Sequence, residues 1–401
     1  MANDGDREAM RGYASPRAPV FGASVFTEMS RLASEHQAVN LGQGFPDFPG
    51  PQFVKDAAKA AIDADLNQYA ISHGSPRLRS AIARTWNERH GTEIDADREI
   101  TVTSGATEAI YDAVQAFAGP GDEVVVFEPF YDSYLPSAAM AGASLRVITL
   151  EAPEWSFSAE AAAAAFGPRT RVLLLNSPHN PTGKVFRREE LEVLAALCER
   201  WDVVAITDEV YERIVFDGAE HVPLATLPRM WPRTLTISST GKTFSMTGWK
   251  IGYAVGPADL NAALRSIHQF VTFASATPFQ DAMALSLEEA EGRGYYAELT
   301  RDYAERRNAL RDVLEESGLP TLRVEGAYFL MADVSAFGFP DDVAFCHWLT
   351  TEIGVAAVPP SAFYLDPARA PKLARFCFAK RPETIGLAAE RMRSLRARLA
   401  Q

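Results

Sequence analysis

Apolar residues recur along this chain with two spacings. Between about residues 100 and 260, short continuous runs (EVVVFEP, RVLLLNSP, DVVAITDE, TLTISS and WKIGYAVG) alternate with segments of helical spacing, such as the one beginning near Ala106. Continuous apolar runs bounded by turn residues fit strands covered on both faces, and their alternation with helices predicts a mostly parallel sheet between helical layers. Residues 281–317, rich in alanine and glutamate, and the alanine run 159–166 read as helix. Shorter strands follow, AYFLMADV and ARFCFA, with a last helix from about Pro382. The expected architecture is α/β: an arm (1–45) crossing to the small unit or to a partner subunit, a large three-layer domain (46–285), and a small α+β domain (286–401).

Composition narrows the function. A chain of 401 residues with 47% hydrophobic content can bury a large core, enough for two or three domains. Its formal net charge of −13 argues against nucleic acid or an anionic membrane as a partner, since both repel an acidic surface. The first seventeen residues are polar and lack the apolar core of a signal peptide, and no run of about twenty apolar residues follows. Cys198, Cys346 and Cys377 are scattered and odd in number, a pattern that fits a reducing cytoplasm and offers no metal site.

Candidate chemistry centres on Lys242 in SSTGKTFSMTGWKIGYAVGP (238–257), eight positions before Lys250. Flanked by Ser238, Ser239, Thr240 and Gly241, its amine has room for a bulky aldehyde, with hydroxyls and amides near to hold an anion; pyridoxal phosphate is the obvious ligand. A nucleotide P-loop is excluded, because Thr236 stands where its first glycine is required. A plain surface loop is the competing reading, so partners elsewhere decide. Asp208, where the apolar run opening the segment 203–218 ends, is expensive to bury without a cation, which a protonated pyridine nitrogen would supply; Tyr211 follows at reach of a phenolic oxygen. Asn180, in the turn after RVLLLNSP, could donate to the same oxygen, and its bond to Pro181 is a candidate cis peptide. Gly105, Ala106 and Thr107 open a helix whose free amides suit a phosphate, together with Ser239 and Lys250, and Tyr131 is placed to stack on a ring. Arg375, in a strand of alternating apolar residues, suits an α-carboxylate through its planar fork. Taken singly, each has a plainer reading: a helix cap for Asp208, ordinary turns for Asn180 and Gly105, a core aromatic for Tyr131, a structural ion pair for Arg375.

These residues carry a family resemblance. From about residue 20 to its end the chain resembles a class I aminotransferase of the pyridoxal phosphate fold type I superfamily, which is aspartate aminotransferase-like. NLGQGFPDFPGP, NQYAISHGSPRLR, SGATEAI, EPFYDSY, NSPHNPTGK, ITDEVYE, SSTGKTFSMTGWKIGYAVGP and RFCFAK occur in family order. It is most similar to the branch of kynurenine and glutamine, methionine and succinyldiaminopimelate aminotransferases. The resemblance implies Lys242 as the Schiff-base lysine, Asp208 on the ring nitrogen, and Tyr211 with Asn180 on the phenolic oxygen. It also implies Arg375 and Gly42 on the substrate carboxylate, and Tyr69 reaching the phosphate of a neighbouring subunit's cofactor in a homodimer. Lys250 is a departure, since many relatives carry arginine there. The expected reaction is ping-pong transfer of an amino group from an amino acid to a 2-oxo acid. Phe45, Tyr131, Phe270 and Phe363, and the lack of a second obvious arginine, favour aromatic amino acids, methionine, glutamine or kynurenine. A cysteine-conjugate β-lyase, a succinyldiaminopimelate aminotransferase and an amino-acid oxidase stay open on the same scaffold. A ligand-sensing regulator would need an added DNA-binding domain, for which the N-terminal segment is too short and too acidic.

Overall fold

The computed structural model describes residues 24–399, so the reading of the first seventeen residues lies outside it. The strands are β1 (Val39–Asn40), β2 (Ile100–Thr103), β3 (Glu123–Glu128), β4 (Ser144–Thr149), β5 (Thr170–Asn176), β6 (Val204–Asp208), β7 (Thr234–Ser239), β8 (Gly252–Val255), β9 (Phe329–Asp333), β10 (Val355–Ala356) and β11 (Leu373–Cys377).

Seven of them form one sheet in the order β2-β8-β7-β6-β5-β3-β4. Every neighbouring pair is parallel except the two made by β8, which runs against both β7 and β2. Strands β3 and β6 are apolar without alternation because helices cover both faces, and the packing divides accordingly. Val125, Leu173 and Ala205 face one cluster with Leu191 and Leu194, while Val126, Leu174 and Ile206 face another with Ile110 and Val114. β4 lies at the sheet's edge with an exposed–intermediate alternation, which is why no continuous apolar run announces it.

The segment after residue 24 packs with the C-terminal part. β1 pairs in parallel with β10, and Met29 and Leu41 share a core with Tyr328, Phe345, Phe376 and Leu395. β9 and β11 form a separate antiparallel pair. In the large sheet β5, β6 and β7 end on Asn176, Asp208 and Ser239, so three adjacent carboxyl ends deliver polar side chains to one edge. Open α/β sheets bind ligands at that edge.

Candidate active site

A cavity of about 530 Å³ opens at this edge; Lys242, Asp208, Tyr211, Asn180, Tyr131 and Arg375 all line it. Residues more than 240 positions apart therefore meet as the sequence pattern anticipates.

Lys242 sits in the one-turn helix Thr240–Thr243 directly after β7. Its Nζ donates to the Tyr328 hydroxyl at 2.9 Å and lies 5.7 Å from the Tyr211 ring centre. Burial lowers its pKa to about 8, Lys250 and Arg375 pushing the same way against the opposing pull of Asp208. Such an amine is about half neutral at pH 8, and the neutral form is the one that can act as a nucleophile or proton acceptor.

Asp208 is buried and accepts from the Tyr134 hydroxyl at 2.7 Å. Burial raises its pKa to about 6, against the hydrogen bonds from Tyr134 and the Val210 amide and the attraction of Lys242. The carboxylate faces the cavity with hydroxyl and amide partners only, so a cation there would complete it. Asn176 braces it by donating to the Asp208 carbonyl at 2.7 Å, and its side-chain oxygen accepts from the Asn180 amide at 2.6 Å.

Arg375, in β11, is 1% exposed, and both guanidinium hydrogen bonds go to neutral oxygens, Asn180 Oδ1 at 2.9 Å and the Gly42 carbonyl at 3.1 Å. Its Nε is buried without a partner. Phe329 lies 4.2 Å from the guanidinium and Phe26 and Phe363 at 5.0 Å, and burial lowers its pKa to about 10. Asn180 Oδ1 being taken, its Nδ2 is the group left to donate into the cavity. The Asn180–Pro181 peptide is cis.

At the other end, Gly105 caps the helix Ala106–Phe117 with φ +82°, and a Cβ there would meet Lys250 Cε at 2.9 Å and Nζ at 3.0 Å. Only glycine lets the helix start and the ammonium approach so closely. Ala106, Thr107 and Ser239 complete this corner, which joins helix amides to a cation and suits a phosphate. Behind it Glu108 accepts from the Ser104 amide and from His268 Nδ1 at 2.8 Å, fixing the loop.

Several expectations change. Gly42 does not line the cavity: its amide donates to Asn40 Oδ1 at 3.0 Å and its carbonyl holds Arg375, so it anchors the arginine, while Gln43 and Gly44 face the space. Phe363 is buried under Arg375 and Phe270 is 85% exposed, so neither lines the cavity; Phe26 and Phe329 do. Tyr69, expected at a neighbouring subunit's cofactor and not at this one, is exposed and lies outside this cavity, its ring edge-on to Phe273 at 5.4 Å. Tyr134, Asn176 and Tyr328 were missed: a core tyrosine, the last residue of a strand and an aromatic before an apolar run give no local sign of the groups they meet.

The family model for aminotransferase class I and II matches residues 36–392. The chain is 44% identical over 377 residues to the methionine aminotransferase of Escherichia coli, covering 94% of this chain and 97% of that one. It is 39% identical over 412 residues to the kynurenine–oxoglutarate transaminase of Dictyostelium discoideum, covering 94% and 95%. The solved N-succinyldiaminopimelate aminotransferase of Mycobacterium tuberculosis superposes with a TM-score of 0.91 at 44% identity, covering 95% of this chain and 100% of that one.

Proposed function

The chain belongs to the class I and II aminotransferases and is a transaminase, and we propose that it works with pyridoxal phosphate in this cavity on amino acids with neutral side chains. One observation carries the reading: a buried guanidinium without an acidic partner faces, across one cavity, an amine of lowered pKa and a carboxylate without a cation. Each of the three lacks what an amino acid and a protonated pyridine would bring. The family uses pyridoxal phosphate, and the residues fit it: Asp208 answers a ring nitrogen, Asn180 and Tyr211 a phenolic oxygen, and Tyr131 a ring face. Gly105, Ala106, Thr107, Ser239 and Lys250 would hold the phosphate. When bound, the cofactor supplies an aldehyde that condenses with amines and a ring that accepts negative charge.

The protein's own groups do the rest. Arg375 holds the substrate α-carboxylate and so fixes the orientation of the α-carbon. The Lys242 amine, freed once substrate takes its place, takes the α-proton and returns it two atoms further on, to the former aldehyde carbon across the intervening nitrogen, and water releases a 2-oxo acid. A second 2-oxo acid reverses the sequence, giving ping-pong kinetics.

The cations lining the cavity, among the described residues, are Lys242, Lys250 and Arg375, and all three have roles here. Phe26, Phe45, Ile110 and Phe329, with the neutral Thr27 and Gln43, border the rest. A distal carboxylate would meet no further cation, which supports methionine, glutamine, aromatic or kynurenine-like donors over acidic ones. Tyr69 and Phe273, exposed and in ring contact, together with the exposed Ile71 and Phe270, support a homodimer in which Tyr69 reaches the partner's phosphate site. The three cysteines are free and buried, which supports a reducing compartment such as the cytoplasm; no described helix is long and apolar enough to cross a membrane. We also infer the domain division at about 45 and 285.

The test is the absorption spectrum of the cofactor-loaded protein under nitrogen, read after each of a panel of amino acids. Loss of the visible band with methionine, glutamine, phenylalanine or kynurenine, and its return with a 2-oxo acid, is expected. A spectrum that only aspartate or glutamate changes would overturn the neutral-side-chain assignment.

A further inference from the structure

Tyr328 has no part in the reaction as described so far, yet it touches the reacting amine. It is wholly buried just before β9. Its ring is stacked on Tyr303 (centroids 5.9 Å, interplanar 16°) and edge-on to Tyr211 at 5.0 Å, while Phe329 lies 4.8 Å away. Four packed rings leave the hydroxyl no freedom to wander. That hydroxyl donates to the Gly44 carbonyl at 2.6 Å, so its only proton is spent there, and toward Lys242 Nζ, 2.9 Å away, it can only accept. The amine must give Tyr328 an N–H, which turns its lone pair away from the tyrosine. Burial raises the Tyr328 pKa far above the ordinary phenol value, so the hydroxyl keeps its proton and is not itself the base.

Gly44 brings in a second relation. Two residues earlier the Gly42 carbonyl accepts from Arg375. The 42–44 segment therefore carries, on alternate carbonyls, the anchor of the carboxylate-binding arginine and the anchor of the lysine's partner.

We propose that Tyr328 is a positioning residue for proton transfer: it receives the released Lys242 amine, aims its lone pair at the substrate α-carbon, and through Gly44 keeps that amine in register with Arg375. This rests on Lys242 being the reacting amine. Misplacing a reacting group by about an ångström lowers a rate by about 10²-fold.

The experiment uses cofactor-loaded Tyr328→Phe, which keeps the ring packing. Single-turnover rates are measured with α-protiated and α-deuterated amino acid across the pH range of activity, alongside KM. The expected result is a visible spectrum and KM within about twofold of wild type, a rate lowered about 10- to 100-fold, and a larger deuterium isotope effect as proton transfer becomes limiting. A ring-fluorinated tyrosine at 328, a weaker acceptor of identical shape, should give an intermediate rate. An unchanged rate and isotope effect, or a raised KM at unchanged rate, overturns the proposal, the latter because Tyr328 then only supports the Gly44 loop. Lys242→Ala in parallel separates the two readings: normal turnover there would sink the lysine assignment itself, whatever Tyr328→Phe does.

Discussion

Replacing Arg375 by methionine should change stability and catalysis in opposite directions. The guanidinium is buried, its hydrogen bonds reach only neutral oxygens, its Nε is unpartnered, and three phenylalanine rings surround it. Without substrate, no acid is hydrogen-bonded to that cation, and the attraction of Asp132 is too weak to offset its desolvation. Apolar side chains that replace buried ionic groups are often neutral or stabilising by about 1–4 kcal/mol. The substrate-free Arg375→Met protein should thus melt no lower than wild type. With substrate bound the sign reverses, because truncating one partner of a buried, hydrogen-bonded charge pair costs about 2–5 kcal/mol. At about 1.4 kcal/mol per tenfold, kcat/KM should fall between about 30-fold and a few thousand-fold. The assay pairs thermal unfolding of the substrate-free protein with kcat/KM for an amino acid and for the amine of the same side chain without its carboxylate. The amine's rate should scarcely change. A melting temperature several degrees lower, with equal losses on both substrates, would refute the reasoning and make Arg375 a structural cation.

Three further predictions follow from the site. Lys242→Ala should retain cofactor while turnover falls at least about 10³-fold, within the range of a positioned acid–base group; spectra and steady-state rates on one preparation decide it. Asp208→Asn should stabilise the cofactor-free protein at pH 8. The raised pKa of about 6 means that folding takes up a proton, so the wild-type contribution is present below the unfolded value of 3.8 and lost as pH rises through 6, leaving a penalty of about 3 kcal/mol that asparagine lacks. The gap in melting temperature should narrow at pH 5, and a pH-independent gap would count against it. Gly105→Ala forces a side chain into positive φ and against Lys250, so cofactor should dissociate more readily on dialysis, while loss of secondary structure by circular dichroism would instead point to a folding defect.

Periodicity made much of the scaffold legible. The runs that became β3 and β5 to β8 were continuous because both faces of the sheet are covered, and the helix after Gly105 began where its small residues said it would. Edge strand β4 escaped because half-exposed positions dilute the apolar signal. The site divided along a similar line. Lys242, Asp208, Asn180 and Arg375 were legible because a charge or a turn in an apolar setting demands a partner. Tyr328, Tyr134 and Phe26 were not, because an aromatic in a core asks for nothing, and its hydroxyl contact exists only once distant segments have packed. Gly42 shows the remaining limit: the right segment can be read while the working atom is a backbone carbonyl, which no residue identity announces.

The reversal of β8 has a consequence for how this protein matures. Thr103 pairs with Gly252, and Ser239 with the same Gly252, so one short strand seats Gly105 on one side and Lys242 on the other next to Lys250. A slip of two residues would preserve which side chains face the core, yet it would carry Lys250 about 6.6 Å away, at roughly 3.3 Å per residue. Such a chain would be compact, apolar inside and unable to grip a phosphate. With Lys250 holding the phosphate as proposed, retention of the cofactor would work as a proofreading mark for strand alignment, separating correctly registered molecules from near-native ones that a melting curve would hardly tell apart.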